Sequence, residues 1–186
     1  MLSILRSSRH IETYLSGRQA SSPIKAKLFD RFFTISLLLF TIFLYSSCDS
    51  NRVFEENKEI SDDVWDADEK ILFEVDVTDT VSPHNFFVNV RNADDYAYSN
   101  LYMFITTSFP NKKTSRDTLE CILSDDNGRW LGEGLGDLWD NRIPFKKNVR
   151  FPVSGKYVFT LEQAMRTEHL PEILDVGIRI EKQSPR

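Results

Sequence analysis

The sequence has few of the residues on which metal sites and catalytic triads are usually built. It contains only three histidines in 186 residues. His10 lies in the N-terminal segment, and His84 and His169 each lie close to a proline in a predicted loop, without a nearby ligand or nucleophile. We therefore expect no metal site, no catalytic residue and no cofactor, and a protein that is not an enzyme.

Basic charge is scarce after the first 47 residues. Those residues hold six basic and two acidic side chains, which leaves 17 basic and 26 acidic side chains in the rest of the chain. A domain with this acidic balance is repelled by the phosphate groups of nucleic acids and of anionic lipids. The sequence therefore predicts no nucleic-acid binding, and membrane attachment must come from something other than basic charge.

The sequence also lacks a hydrophobic run long enough to span a bilayer. The run at 32–45 has fourteen residues, whereas a spanning helix needs about 20. Lys25, Lys27 and Arg31 precede it and small polar residues follow it, which indicates a signal peptide over residues 1–47. About thirty residues ahead of the apolar run are many for a signal peptide, and they indicate a start codon assigned too far upstream.

Cys48 follows the apolar run directly after two serines. This arrangement resembles the bacterial lipobox, in which the cysteine thiol is alkylated by diacylglycerol and the cysteine becomes the first residue after cleavage. Tyr45 stands where the usual pattern has leucine, and Leu44 precedes it. The alternatives are an ordinary signal peptide or an uncleaved anchor, with Cys48 an incidental thiol.

The low number of cysteines favours lipidation. The chain has two, and exported proteins with two cysteines more often pair them. Cys121, however, alternates with polar residues on the same face as Leu119 and Leu123, where a small thiol packs well in a core. We therefore predict that Cys48 carries the lipid that attaches the protein to the membrane, and that no disulfide forms.

The mature chain divides into an acidic stretch and one domain. Residues 48–64 are polar and acidic, which predicts a tether that lets the domain stand off the bilayer. From residue 65 to residue 186, apolar and polar residues alternate with period two in short runs, as in Phe73, Val75 and Val77.

Seven such runs predict an all-β domain. Turn signals such as Asp126-Asn127-Gly128 separate them, and in the last run Asp175, Gly177 and Arg179 face outward. Short strands with a turn about every dozen residues indicate an antiparallel β-sandwich of jelly-roll type, with a short helical turn at 163–167. The predicted strands are 73–77, 86–91, 101–107, 118–123, 149–151, 157–161 and 174–180.

Two acidic pairs, Asp94-Asp95 and Asp125-Asp126, have the oxygen ligands that calcium prefers. Neither pair fits the ligand spacing of a calcium-binding loop. The second pair leads into Asn127-Gly128, residues that tolerate positive φ, so a hairpin turn explains it. The first pair leads into a run of tyrosines and stays open to a binding role.

The stretch from Gly128 to Phe145 is rich in glycine, tryptophan and arginine. Its glycines predict β-bulges or the close approach of another backbone, and their spacing does not match a nucleotide-binding loop. Its tryptophans are either exposed anchors for a partner or a sugar, or side chains that fill the core. The candidate partner-binding residues are Trp130, Gly132, Gly134, Asp137, Trp139, Asp140 and Arg142.

Six runs occur in a fixed order within residues 65–182: Thr78 to Thr80, Asn85 to Arg91, Tyr98 to Leu101, Asp117 to Cys121, Trp130 to Arg142 and Glu162 to Arg166. Together they resemble the GldH family of gliding-motility lipoproteins from the Bacteroidetes. The resemblance implies an envelope lipoprotein needed for gliding, which in that phylum is tied to type IX secretion. It implies no catalytic residue, and it places the acylated position at Cys48.

These observations predict a non-enzymatic, lipid-anchored protein that supports gliding motility and type IX secretion through contacts with proteins of that apparatus. We expect it at the outer membrane, facing the periplasm. Asp49 would signal inner-membrane retention in enterobacteria, but that rule does not transfer to this phylum. The alternative is a carbohydrate-binding lipoprotein of the envelope, because a sandwich with tryptophans and tyrosines also suits a glycan-binding module.

Overall fold

The computed structural model describes residues 51–183, together with Thr34 and Ser36. The predicted signal peptide, residues 1–47, lies outside the described residues except for those two positions, and so does the predicted lipid-bearing Cys48. Residues 51–183 belong to one compact unit. In this part of the chain no helix is both long enough and apolar enough to cross a bilayer.

The described residues form an almost entirely β structure. A single 3₁₀ turn, Ser61–Asp63, interrupts the series of strands. The strands are β1 (Arg52–Glu59), β2 (Val64–Asp66), β3 (Ile71–Val77), β4 (His84–Ala93), β5 (Asn100–Ser108), β6 (Thr114–Ile122), β7 (Glu133–Leu135), β8 (Leu138–Val149), β9 (Gly155–Gln163), β10 (His169–Pro171) and β11 (Ile173–Lys182).

The strands build two main sheets. Within each sheet, all neighbouring strands pair antiparallel. The larger sheet has the order β1-β11-β4-β8-β7, and the smaller has the order β3-β9-β5-β6. β2 and β10 form a separate ribbon in which Trp65 lies opposite Leu170, both fully buried. This architecture confirms the predicted antiparallel β-sandwich.

The core lies between the two sheets, and the period-two alternation places it there. In β3, Phe73, Val75 and Val77 are buried while the residues between them are exposed. Phe86 of the larger sheet packs against Phe159 of the smaller, with ring centroids 5.9 Å apart. Cys121 is a free thiol within this core, and burial raises its pKa to about 12.

The predicted acidic tether at 48–64 is wrong over most of its length, because residues 52–59 form β1 at the edge of the larger sheet, and the 3₁₀ turn and the first residue of β2 follow at 61–64. β1 pairs with β11 from Arg52 opposite Glu181 to Glu59 opposite Asp175. Its charged residues are compatible with a strand because one face meets polar side chains of β11, and on the other face Phe54 packs against the core while the Lys58 ammonium lies over the Phe73 ring. Residues 52–64 therefore belong to the fold, ahead of the predicted boundary at residue 65.

Two further predictions are corrected. Of the predicted strand at 149–151, only Val149 lies in a strand, as the last residue of the twelve-residue β8, which starts at Leu138 inside the glycine-rich stretch. The predicted helical turn at 163–167 is a bend. Gln163 holds it, since its side-chain oxygen accepts from the Met165 amide at 2.8 Å and its nitrogen donates to the Thr167 carbonyl at 2.8 Å.

Candidate functional site

A groove of about 800 Å³ runs beside the larger sheet. Its walls come from β1, β4, β8 and β11, from the end of β6 and from the segment 131–133. Most of its lining side chains are charged or carry amides, and none of those in the described part of the chain is aromatic. The polar lining consists of Glu55, Asn57, Asn89, Arg91, Glu120, Glu133, Asp140, Asn141, Arg142 and Asp175.

One side of the groove is held by an ion pair between β1 and β11. Arg179 donates to Glu55 at 2.5 Å and to Glu181 at 2.5 Å, and its side chain is only 5% exposed. Burial disfavours the charged form of Glu55, but hydrogen bonds from Arg52, Asn89 and Arg179 outweigh burial and lower its pKa. Glu55 is therefore an ionised carboxylate fixed in place.

A second ion-pair group crosses the sheet from β8 to β11. The Arg91 guanidinium donates to Asp140 at 2.7 Å and lies 3.1 Å from Asp175, and the hydrogen bond to Asp140 raises the pKa of Arg91. Burial raises the pKa of Asp175, and Arg91 opposes that shift. Asp175 and Arg179 face away from the core, as the alternation predicts, yet both are buried under neighbouring charged side chains.

Two amides lie between these ion pairs. The Asn89 side chain donates to Glu55 at 3.2 Å and to Asn57 at 3.0 Å, whereas its own oxygen, although buried, has no hydrogen-bond partner among the described residues. Asn57 fits only because residue 177 is glycine. A Cβ on Gly177 would come within 1.8 Å of the Asn57 side-chain oxygen and 2.6 Å of the Glu56 carbonyl oxygen.

Gly132 brings the segment 131–133 directly onto the start of β8. A Cβ at this position would lie 2.7 Å from the Asp140 carbonyl oxygen and 2.8 Å from the side-chain oxygen of Asn141. Asn141 is itself buried and donates to Asn92 at 2.9 Å. The predicted close approach of a backbone is therefore confirmed at this glycine.

The two tryptophans of the candidate stretch share one acceptor outside the groove. Trp130 and Trp139 both donate their indole N–H to the same oxygen of Asp94, at 2.8 Å and 3.1 Å. Trp130 is partly buried and packs against the core, and Trp139 is half-buried. A Cβ on Gly134 would lie 2.5 Å from the Trp139 ring, so this glycine makes room for the indole.

The structure thus divides the candidate residues into two groups. Gly132, Asp140 and Arg142 line the groove. Trp130, Gly134 and Trp139 belong to the indole cluster around Asp94. Asp137 is exposed and joins this cluster through its backbone, since its carbonyl oxygen accepts from the Asp94 amide at 2.8 Å.

The first residue of each acidic pair has structural partners. Asp125 caps the predicted turn, accepting from the Asn127 and Arg129 amides at 3.0 Å each, and the φ of Gly128 is +77°. No group of three potential metal ligands occurs in the residues that the structure describes. Asp94 and Asp125 are therefore explained by hydrogen bonds to indoles and to a turn.

The two described histidines lie in strands, which corrects their predicted loop positions. His84 begins β4, is buried, and packs edge-on against Phe151 at 5.1 Å; burial lowers its pKa. His169 begins β10 and bonds to Asp66, which raises the pKa of His169.

Most of the groove lining is absent from the sequence-based candidates, of which only Gly132, Asp140 and Arg142 line it. Glu55 and Asn57 lie in the stretch predicted to be a tether, and Asn89 and Arg91 lie at outward positions of β4. The one available signal is the series of polar residues on the outward faces of β4 and β11, which an ordinary solvent-facing strand also shows. The pairing of β11 with β1 on one side and with β4 on the other brings these residues together.

The chain is similar to proteins of one family. It matches the family described as GldH lipoprotein over residues 52–180, a range that starts at the first residue of β1. It is 41% identical over 157 residues to the gliding motility lipoprotein GldH homolog of Christiangramia forsetii, covering 81% of this chain and 96% of that protein. It is 34% identical over 154 residues to the gliding motility lipoprotein GldH of Flavobacterium johnsoniae, covering 79% and 95%. No solved structure matches the chain.

Proposed function

Because the chain belongs to the GldH lipoprotein family, we propose that it is a lipid-anchored envelope protein that supports gliding motility, and the type IX secretion tied to it, through protein contacts rather than catalysis. The names of its relatives support the motility role. We place it on the periplasmic side of the outer membrane, attached through a lipid on Cys48.

The polar groove carries the proposal of protein contacts. Its ion pairs hold carboxylates and guanidinium groups at fixed positions, where the charged and polar groups of a partner can pair with them. Such a surface suits a polar peptide segment. A glycan-binding site would instead offer aromatic rings for stacking, and the two tryptophans of the candidate stretch are not part of the lining.

Arg142 is the residue with which to test the groove. Its side chain is 52% exposed, and its carboxylate neighbour, Glu55, lies 3.8 Å away, so reversing its charge should leave the fold intact. We expect Arg142→Glu, made in the lipid-anchored protein in cells, to reduce crosslinked recovery of gliding or secretion proteins and to slow gliding or secretion.

The matched control is Arg129→Glu. Arg129 is an exposed arginine in the same region of the chain, paired with Asp125 at the turn and outside the groove. Equal effects of the two variants on partner recovery would contradict a role for the groove. Binding of the domain to a glycan array, lost in Arg142→Glu, would favour the carbohydrate-binding alternative.

The anchor is tested at Cys48. We expect Cys48→Ser to abolish labelling by radioactive palmitate and to leave an uncleaved precursor, because the thiol is the only site of acylation in this proposal. Unchanged labelling of the variant would contradict lipidation at Cys48.

A further inference from the structure

The charged residues of the sandwich are segregated between its two ends. At one end lie the connections 60–70, 94–99, 123–137 and 164–172, which together hold thirteen acidic and three basic residues. We call this the acidic end. The connections at the opposite end, 78–83, 109–113 and 150–154, hold three basic residues and one acidic residue. At the strand ends beside them, Arg52 and Lys182 are basic and Glu181 is acidic. The net charge of the protein, which is negative, does not reveal that acidic and basic residues are concentrated at opposite ends.

Hydrogen bonds and packing join the segments of the second end into one surface, which we call the anchor end. Arg150 donates to the Val81 carbonyl oxygen at 2.8 Å, and the Gln183 amide donates to the Pro83 carbonyl oxygen at 2.9 Å. Pro110 packs against Gly155, where a Cβ would lie 3.0 Å away. These contacts hold the three connections next to the first and last strands.

Asp79 ties the loop at 78–83 together, although Val81 in this loop is exposed. One oxygen of Asp79 accepts from the Val81 amide at 3.0 Å and from the Ser82 amide at 2.9 Å, and the other accepts from Lys182 at 2.9 Å. The contacts with Ser82 and Lys182 hold the pKa of Asp79 well below its usual range. This acid is therefore tied to a neighbouring lysine and to its own loop.

Apolar side chains project from the anchor end between its basic residues. Val81 is 78% exposed and Val153 is 36% exposed, at the tips of two adjacent connections. Lys112, Lys113 and Arg150 are also exposed. Exposed apolar side chains among lysines and arginines are typical of protein surfaces that contact lipid headgroups.

The covalent chain fixes this end close to any lipid on Cys48. Two residues separate Cys48 from Asn51, whose carbonyl oxygen accepts from the Lys182 amide at 2.8 Å. Three Cα–Cα steps span about 11 Å at most. That distance is comparable with the Debye length of about 8 Å at physiological salt, so basic groups at this end feel the charge of the membrane surface.

We propose that the anchor end lies against anionic phospholipid headgroups, with the acidic end directed away from the bilayer. This inference rests on the proposed lipidation of Cys48. In this arrangement the domain has a single orientation on the membrane instead of moving freely on a tether, and its acidic connections face the periplasm.

Site-specific fluorescence quenching in the lipid-anchored protein tests this orientation. A thiol-reactive fluorophore is attached at Val81→Cys, with Leu131→Cys as the control, since Leu131 is an apolar residue at the acidic end and is 52% exposed. Cys121 is buried and its thiol is protonated, so it does not react. The proteins are reconstituted in vesicles of phosphatidylethanolamine and phosphatidylglycerol that contain a lipid with a spin-labelled headgroup.

We expect strong quenching at position 81 and little at position 131. Lys112→Glu combined with Lys113→Glu should reduce the quenching at position 81, as should replacing phosphatidylglycerol by phosphatidylcholine, whereas Arg129→Glu should not. Protein that sediments with the vesicles but shows equal, weak quenching at both positions would overturn the orientation and leave the anchor intact. Protein that neither incorporates palmitate nor sediments with the vesicles would overturn both proposals.

Discussion

Replacing Glu55 by alanine should destabilise the domain by about 2–3 kcal/mol. Glu55 is the β1 partner of Arg179, whose side chain is 5% exposed and lies 2.5 Å from the Glu55 carboxylate. Removal of one partner from a buried ion pair costs about 3–5 kcal/mol, because the remaining charge is left without compensation. We expect less here, since Arg179 keeps its contact with Glu181 and Glu55 is 20% exposed.

Glu56 provides a matched control in the same strand. It is the next residue, has the same side chain, and contacts Lys58 at 3.5 Å with both side chains 42% exposed. Exposed pairs of this kind contribute about 0–1 kcal/mol, so Glu56→Ala should change stability little. For a domain of this size, the loss at Glu55 corresponds to a Tm lower by about 10 °C.

Thermal and urea unfolding of the purified variants measure the difference. The pKa of Glu55 is lowered in the folded protein, so its stabilising effect is present above the unfolded pKa of about 4.3 and disappears as the pH falls through the folded pKa. The gap between wild type and Glu55→Ala should therefore narrow in acid. A double-mutant cycle with Arg179→Met should give a favourable coupling energy between the two residues. Equal, small effects of Glu55→Ala and Glu56→Ala would contradict the assignment of β1 to the folded domain and would support a tether at 48–64.

Trp139→Ala should lower the free energy of unfolding by about 1–2 kcal/mol, because it removes one hydrogen bond to Asp94 and the contact of the half-buried indole with Gly134. It should also reduce recovery of envelope partners. A loss of about 3–5 kcal/mol in the thermal melt would assign Trp139 to the core instead. Burial lowers the pKa of His84, so the folded state holds the neutral ring, and stability should fall as the pH drops below about 6.5. Urea unfolding at pH 7.5 and 5.5 should show a smaller decrease for His84→Phe than for wild type, and equal decreases would contradict the assignment.

The parts of the fold that the sequence predicts are those specified by neighbouring residues. Alternation in Phe73, Val75 and Val77 is a property of five consecutive positions, and it places β3 and its buried face correctly. The turn at Asp125 to Gly128 is likewise encoded by adjacent residues, and so is the packing of Cys121. About ten consecutive residues are enough to predict each of these features.

β1 shows why other parts are beyond local reasoning. Its sequence, RVFEENKE, has charged side chains on both faces, and in isolation it resembles a solvated segment. It forms a strand because Arg179, 124 residues later, offers a buried partner to Glu55, and because Gly177 leaves space for Asn57. The groove shares this origin, since one of its walls is β1.

Trp139 shows how a long-range contact decides between two interpretations that the sequence leaves open. A tryptophan in the core and a tryptophan at an interface differ in where the indole N–H finds its acceptor. Here the acceptor is Asp94, 45 residues away, which Trp130 also uses, so the N–H of each ring is satisfied within the protein. Any partner that contacts Trp139 therefore meets an apolar ring without a free donor. Such a contact would add buried apolar area beside the polar groove and would leave the choice of partner to groove residues such as Arg142.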